Sequence, residues 1–209
     1  MNGTVQRREG RVVLVDLGRT TGVMRPEDQI STERYNTGDR IKVFVRQVGL
    51  TTKGPEILLS RTSEEMVRKL FEFEVPEVGE GLVQIKAIAR EAGSRSKVAV
   101  TTNENTIDPI GACIGQRGTR IQTIIAELGG EKIDIVEWSE NPATFITNAL
   151  SPAKVTSLEL KDEEKNAFAK VKDDQLSLAI GKGGQNVRLA AKLTGWKINI
   201  AGEEKKIEE

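Results

Sequence analysis

The chain of 209 residues contains no histidine and only one cysteine. The absence of histidine excludes Ser-His-Asp and Cys-His catalysis, and it excludes histidine ligands for a metal ion. A single cysteine, Cys113, excludes an internal disulfide and fits a reducing cytoplasm. Its apolar surroundings predict a packed thiol rather than a reactive one. We therefore expect no catalytic residues, no metal and no cofactor.

Long apolar runs and a charge excess are also absent. The sequence has no run of about 18 or more apolar residues, so it predicts no membrane span, and its first residues lack the apolar core of a signal peptide. The 31 basic residues equal the 31 acidic residues in number, and aromatic residues make up 4% of the chain. Any affinity for nucleic acid must therefore come from local basic patches and backbone donors rather than from bulk charge.

The sequence does contain a loop that occurs twice. An isoleucine followed by Gly-x-x-Gly stands at 114–118 and again at 180–184, 66 positions later. Each copy precedes a helical pattern, a glycine and a short strand with Lys-Ile-Asp-Ile or Lys-Ile-Asn-Ile. One such loop is a weak signal, but two copies in register indicate a duplicated module. A Gly-x-x-Gly loop is the mark of the KH fold, in which it clamps about four nucleotides of RNA.

Three other interpretations of the loop fit the sequence less well than a KH domain. A nucleotide-binding P-loop needs Ser or Thr after its Gly-Lys and a glycine five positions earlier, and Gly181-Lys182 has neither. A helix-turn-helix DNA reader is the alternative for the paired helices, but a strand on both sides of the helix pair fits it less well. A plain helix-helix turn explains one copy, but less readily two aligned copies.

Residues 1–60 contain five β-rich runs separated by turn signals, which predicts a small closed barrel of OB type. The segment resembles an S1 RNA-binding domain in four motifs. S1 domains often have an aromatic residue near the place of Leu14 and a histidine near that of Arg25, so base stacking is expected to be weak in this barrel. The four motifs are Val15-Asp16-Leu17-Gly18, Gly22-Val23 followed by an acidic pair, Gly38-Asp39-x-Ile41-x-Val43 and Ile57-x-Leu59-Ser60-Arg61.

After the barrel, each repeat has the order helix, strand, strand, helix, loop, helix, strand, which resembles the type II KH fold. We therefore predict a multidomain chain with an all-β five-stranded OB-type S1 barrel followed by two α+β KH domains. The predicted boundaries are 1–60 for the S1 domain, 61–78 for a connector helix, 79–144 for the first KH domain, 145–202 for the second and 203–209 for a disordered tail.

The loops suit a phosphate because glycines let the backbone approach a ligand and because a helix N-terminus offers free N–H groups. The isoleucines beside them can carry extended bases, and nearby basic residues add positive charge. The predicted RNA-binding residues are Ile114, Gly115, Gln116, Arg117, Gly118, Thr119 and Arg120 in the first copy, Ile180, Gly181, Lys182, Gly183, Gly184, Gln185 and Arg188 in the second, and Arg19 and Arg25 in the barrel.

The order S1, connector, KH, KH resembles the RNA-binding core of the bacterial NusA family of transcription termination and antitermination factors, over nearly the whole chain. The resemblance implies binding of nascent single-stranded RNA, which regulates pausing, termination and antitermination. It also implies a cytoplasmic monomer whose partners are the RNA polymerase elongation complex and other antitermination factors. Family members carry a polymerase-docking domain before the barrel, whereas this chain begins at the barrel, either trimmed or naturally short. If the chain is trimmed, we expect polymerase binding to be weakened or lost and RNA binding to be retained. The alternative function is that of a ribosome-associated or translation-linked KH/S1 protein.

Overall fold

The computed structural model describes residues 1–52 and 54–203. The N-terminal region is a six-stranded sheet with the strand order β4-β1-β2-β3-β6-β5. Its core is formed by buried side chains that alternate along the strands, among them Val13, Val15 and Leu59. The strands are β1 (Asn2–Glu9), β2 (Val12–Asp16), β3 (Thr21–Met24), β4 (Arg40–Lys42), β5 (Phe44–Thr51) and β6 (Gly54–Ser60).

The predicted closed barrel of five strands is not what the structure shows. Six strands replace the five expected ones, because residues 40–51 form two strands on either side of Val43: β4, which pairs with β1, and β5, which pairs with β6. Val43 is buried, and it exchanges backbone hydrogen bonds with Met1 in both directions, at 2.9 and 2.8 Å. Val43 thus continues the pairing of β4 with β1, and the chain changes its partner strand directly after it, where Phe44 pairs with Ser60. No ladder joins β4 to β5 within residues 1–52 and 54–203, so the sheet does not close.

A helical segment follows the sheet and belongs to the core of the next unit. Helix α1 (Glu64–Glu74) begins at Ser63, whose hydroxyl accepts a hydrogen bond from the Glu65 amide at 3.2 Å, and α2 (Pro76–Gly79) follows it. Four α1 side chains one or two turns apart are buried and pack on the first three-stranded sheet. They are Met66, Val67, Leu70 and Phe71.

Two units of the same topology make up the rest of the chain. In each, the second strand is central, antiparallel to the first strand and parallel to the third. Even the irregularity between the first two strands recurs, after Ile85 in one unit and after Val155 in the other. The first unit has β7 (Val83–Glu91), β8 (Arg95–Thr102), α3 (Pro109–Ile114), α4 (Thr119–Glu127) and β9 (Lys132–Glu137). The second has α5 (Pro142–Ala149), β10 (Val155–Lys161), β11 (Asn166–Val171), α6 (Asp173–Ile180), α7 (Gln185–Thr194) and β12 (Lys197–Gly202).

One hydrophobic core lies between the two units, and side chains of both units contribute to it. The outer face of the first sheet carries Ala89 and Ala99, which are fully buried under Leu189 and Ala190 of α7 and under α5. Small side chains on the sheet let the helices approach closely, and the interface resembles a domain interior in composition. The two units are therefore packed directly on each other.

Polar contacts fix the N-terminal sheet to the first unit. The guanidinium of Arg61, only 4% exposed, donates to the carboxylate of Glu33 and to the carbonyls of Lys42 and Glu127. The ammonium of Lys42 lies 2.9 Å from the Glu127 carboxylate. Arg61 thus forms hydrogen bonds with both the N-terminal region and the first unit.

The last described residue is hydrogen-bonded to the second unit. Within the predicted tail, the Glu203 amide donates to the Val171 carbonyl at 2.9 Å, and residues 204–209 lie outside the described residues. Within the described part of the chain, no helix has both the length and the apolar character needed to cross a membrane.

Candidate nucleic-acid interface

The two Gly-x-x-Gly loops have the same backbone conformation. Gly115 and Gly181 have φ/ψ of 74°/172° and 76°/168°. The last glycines, Gly118 and Gly184, have 76°/15° and 75°/14°. In both loops the last glycine donates its amide to the carbonyl of the first at 3.0 Å. The duplication inferred from the sequence therefore extends to the dihedral angles of the loop.

The first glycine of each loop has no room for a side chain. A Cβ atom on Gly115 would lie 2.7 Å from Cγ of Arg120, and one on Gly181 would lie 2.7 Å from the backbone nitrogen of Asn186. The loop backbone is thus pressed against the start of the following helix. The last glycine, by contrast, is constrained by its positive φ and not by contacts, since the nearest atom to a Cβ on Gly184 is 3.8 Å away.

Each loop leads straight into a helix whose N-cap residue is glycine. Gly118 precedes α4 and Gly184 precedes α7, and neither can supply a capping oxygen. The first amide of each helix donates to a loop carbonyl, from Thr119 to Gln116 and from Gln185 to Lys182. The amides that follow have no side-chain cap, and the helix dipole at this end favours an anion such as a phosphate group.

The side chains at the two loop tips face solvent. Gln116 and Arg117 of the first loop are exposed, as are Lys182 and Gly183 of the second. Thr119 is also exposed, and its carbonyl accepts a hydrogen bond from the Thr123 hydroxyl at 3.0 Å. The tips therefore place positive charge and a side-chain amide beside the N-terminus of each helix.

An apolar side chain flanks each loop. Ile114 is 37% exposed and Ile180 is 36% exposed, so both offer apolar surface next to the glycines. The neighbours expected to extend this surface do so less, because Ile121 is buried in the first core and Val187 packs against the shared core. The available apolar surface beside each loop is thus centred on one isoleucine.

The two arginines expected to face phosphate are already bonded within the protein. Nη1 of Arg120 donates to the Ala112 carbonyl at 2.6 Å and to the Glu77 carboxylate at 2.8 Å. Arg188 donates to the Glu91 carboxylate at 2.6 Å and to the Gly183 carbonyl at 3.0 Å. Both arginines therefore form hydrogen bonds within the protein near their loops, although the Arg188 side chain remains 56% exposed.

The remaining predicted residues lie in two other environments. Gln185 donates to the Glu91 carboxylate at 2.8 Å and to the Ser94 hydroxyl at 2.7 Å. On the N-terminal sheet, Arg19 is exposed, and Arg25 is half-buried with a 3.4 Å contact to Glu56. Within the described residues, no hydrogen bond or ion pair joins Arg19 or Arg25 to either loop.

The turn between β7 and β8 is a contact that sequence reasoning missed. Its residues Glu91 and Ser94 hold the second loop, while a Cβ atom on Gly93 would lie 2.5 Å from Cγ2 of Ile30 and 2.8 Å from Oγ1 of Thr32. The turn therefore touches both the N-terminal sheet and the second unit. No local pattern marks it, because its partners are far away in the sequence.

Asn186 is a second residue that the sequence alone did not single out. It is 2% exposed, and its Nδ2 donates to the carbonyls of Leu150 and Ala179 at 3.1 and 3.0 Å. The 66-residue offset between the loops places Asn186 opposite Arg120. An alignment of the two repeats would have shown that this position differs between them.

These features define the class of protein. Two units with three-stranded sheets, each with a Gly-x-x-Gly loop between paired helices, are tandem KH domains, a class that binds RNA. Family models agree, since residues 61–138 match the NusA-like first KH domain and residues 142–208 match the NusA-like second KH domain. The chain belongs to the NusA family.

Curated relatives give the same assignment. The chain is 54% identical over 205 residues to the transcription termination/antitermination protein NusA of Thermus thermophilus, covering 98% of this chain and 53% of that protein. It is 52% identical to NusA of Halalkalibacterium halodurans, covering 97% and 53%, and 51% identical to NusA of Bacillus subtilis, covering 97% and 55%. The chain thus spans about half the length of these relatives, which are named as transcription proteins and not as enzymes.

Among solved structures, the crystal structure of APE1850 is similar to part of the chain. The TM-score is 0.50 at 27% sequence identity, and the match covers 66% of this chain and 97% of that one. The partial coverage of this chain fits its division into several units.

Proposed function

We propose that the chain is the single-stranded RNA-binding segment of a transcription termination and antitermination factor. The observation that supports this most directly is the pair of Gly-x-x-Gly loops with one backbone conformation, each at an uncapped helix N-terminus. The names of the relatives support the assignment to transcription. In this proposal the chain regulates pausing, termination and antitermination by holding nascent RNA.

The proposed binding mode assigns a role to each part of the loop. The amides that follow Thr119 and Gln185 in the first turns of α4 and α7 bind phosphate groups, and Arg117, Gln116 and Lys182 at the tips add contacts from outside. Bases lie against Ile114 and Ile180, at about four nucleotides per loop. Single-stranded RNA carries one charge per nucleotide. A plot of the logarithm of the affinity against the logarithm of the salt concentration should therefore have a slope of about −0.7 for each phosphate that the protein neutralises.

We also propose that the N-terminal sheet acts as an S1-type module. Its edge strands β4 and β5 are consecutive segments that meet at Val43, which supports a strand bent as in an OB-type fold. The exposed Arg19 and the half-buried Arg25 would supply phosphate contacts there. The proposed units are 1–60, 61–78, 79–144 and 145–202.

The proposed setting is the cytoplasm, where the chain would act as a monomer. RNA polymerase in its elongation complex and other antitermination factors are the proposed partners. A pull-down that distinguishes RNA polymerase from ribosomal proteins among the bound proteins tests the proposed partners. Recovery of ribosomal proteins without polymerase would favour the translation-linked alternative.

The test of RNA binding uses the last glycine of each loop. Gly118→Asp and Gly184→Asp place a negative charge where the phosphate should lie, and fluorescence titration with a labelled single-stranded RNA measures the affinity. Gly195→Asp is the matched control, because Gly195 ends the same helix α7 with a φ of 73° against 75° for Gly184. We expect the double loop variant to lose affinity by more than about tenfold, the scale of a charge-assisted contact, and the control to bind normally. Unchanged affinity in a folded double variant would refute the loop assignment.

A further inference from the structure

The arginine that follows each loop connects the loop to a carboxylate elsewhere in the protein. Arg120 joins the Ala112 carbonyl to Glu77 of α2. Arg188 joins the Gly183 carbonyl, at the tip of the second loop, to Glu91 at the end of β7. In both copies the guanidinium therefore spans from the loop region to an element that precedes the helix pair.

The two arginines do not occupy equivalent positions. The 66-residue offset places Arg120 opposite Asn186, and it places Arg188 opposite Gln122. Asn186 is buried and bonded to backbone carbonyls, so it cannot take the place of Arg120 at the surface. The same kind of connection has thus been built from two different helix positions.

In the second copy the connection crosses from one KH unit to the other. Both carboxylate oxygens of Glu91 are used, because Oε1 accepts from Arg188 and Oε2 accepts from Gln185 at 2.8 Å. Gln185 and Arg188 both lie in the first turn of α7, directly after the loop. The hydrogen bond from Arg188 also lowers the pKa of Glu91, which keeps this carboxylate ionised. Glu91 of the first unit therefore accepts hydrogen bonds from two side chains at the start of α7.

We propose that Arg188 is a positioning residue, through which Glu91 of the first KH unit holds the tip of the second loop in its RNA-binding conformation. The inference rests on the proposed function, namely that the second loop binds RNA. The bond from Arg188 to the Gly183 carbonyl directs this carbonyl toward the protein. The Gly184 and Gln185 amides donate to the Gly181 and Lys182 carbonyls, so the loop is bonded at both ends. Lys182 is then the basic side chain that meets the RNA from the tip.

The competing role for Arg188 is that of a phosphate ligand, and the two roles predict opposite effects at Glu91. If Arg188 positions the loop, Glu91→Ala weakens RNA binding because the loop tip loses its support. If Arg188 binds phosphate, the same change strengthens binding, since the guanidinium is released from a competing carboxylate. The sign of the effect therefore separates the two roles.

The experiment measures titrations of a fluorescein-labelled mixed-sequence single-stranded RNA at several salt concentrations. The variants are Glu91→Ala, Arg188→Gln and the double variant. Glu64→Ala is the matched control, because Glu64 pairs with Lys192 of the same helix at 2.6 Å, one turn beyond Arg188. It removes an equal charge from the same interface without touching the loop.

We expect Glu91→Ala and Arg188→Gln each to weaken binding about threefold, the scale of an exposed ion pair. The double variant should be no weaker than either single variant, since one connection is lost in all three. The salt slope should stay unchanged, and Glu64→Ala should bind as the unmodified protein does. Tighter binding by Glu91→Ala, or a slope reduced by about 0.7 in Arg188→Gln, would overturn the proposal.

A measurement without RNA separates this proposal from the function on which it rests. In the free protein, the amide chemical shifts of Gly183 and Gly184 should move in Glu91→Ala and stay in place in Glu64→Ala. Unmoved loop amides would overturn the positioning role whatever the RNA affinity. If those amides move but the folded double variant Gly118→Asp, Gly184→Asp leaves RNA binding intact, the proposed function fails and the positioning role stands as a structural one.

Discussion

Arg117 and Gly183 occupy the same place in the two loops, with φ/ψ of 55°/23° and 59°/25°. This left-handed region is open to glycine, whereas a residue with a Cβ atom is held there at a cost of about 1 kcal/mol. The first loop accepts this cost and gains a charged side chain at its tip. The second loop has an unstrained tip and carries its charge one residue earlier, on Lys182.

The strain at this position can be tested by giving the second loop the tip of the first. Gly183→Arg should lower the free energy of unfolding by about 1 kcal/mol, because the side chain must adopt the left-handed conformation. No described atom lies within 4 Å of a Cβ at Gly183, so a clash will not add to this cost. Urea unfolding measures the change. Gly183→Ala should show the same loss, and its absence would show that the loop relaxes.

Arg90 and Glu131 form a buried pair whose disruption should be costly. Their side chains are 1% and 0% exposed, and Glu131 also accepts from the Gly93 amide and the Ser96 hydroxyl. Glu131→Gln removes the charge that balances Arg90, and we expect a loss of about 3 kcal/mol in the free energy of unfolding. Denaturant titration gives the value.

The exposed pair between Glu64 and Lys192 is the control for that prediction. Glu64→Gln should change the free energy of unfolding by less than about 1 kcal/mol, because water and salt screen an exposed ion pair. Equal losses in Glu64→Gln and Glu131→Gln would contradict the assignment of the buried pair as the stronger one.

Asp134 should make stability depend on pH in the acid range. Burial alone would raise the pKa of Asp134, but the hydrogen bond from Arg95 and the charge of Lys97 outweigh it and lower the pKa. A carboxylate with a lowered pKa stabilises the fold above its unfolded value of about 3.9. This contribution is lost as the pH falls from that value through the folded one.

Asp134→Asn tests this dependence. At neutral pH it leaves the ammonium of Lys97, 0% exposed, with the Ser151 carbonyl at 2.8 Å, and we expect a loss of about 2 kcal/mol. Unfolding measured from neutral pH to pH values below about 4 should show the variant and the unmodified protein converging. Parallel curves over that range would be evidence against a lowered pKa at Asp134.

Cys113 should be unreactive in the folded protein. Burial raises the pKa of its thiol to about 12, so the reactive thiolate is scarce at neutral pH. Labelling with a thiol reagent at neutral pH should follow global or local opening and accelerate in urea. Rapid labelling without denaturant would contradict the packed position expected from the sequence.

Local patterns in the sequence were sufficient for much of the helix and loop structure. The helical pattern after each Gly-x-x-Gly motif predicted the helices that the structure shows as α4 and α7, and the glycines marked both loops. These signals are local because helix periodicity and left-handed turns depend on neighbouring residues. They sufficed to identify the module as well, since the same signals occur twice.

Long-range contacts could not be predicted from such patterns. The contact between Glu91 and Arg188 joins residues 97 positions apart, and exposed charges on a helix look alike in a sequence whether or not they have partners. The change of partner strand after Val43 likewise depends on distant residues, since Val43 pairs with Met1 and Phe44 pairs with Ser60. The sequence therefore indicated which residues surround the loops but not which of them are already engaged.

The close fit at Gly93 has a consequence for the length of RNA that the chain can hold. The turn is pressed against Ile30 and Thr32 on one side, and its neighbours Glu91 and Ser94 are bonded to α7 on the other. The two KH units cannot slide past each other without separating these contacts and the alanines beneath them. If both loops bind RNA as proposed, the distance between their sites is fixed before any RNA binds. An RNA whose spacer does not match that distance would then occupy one loop at a time.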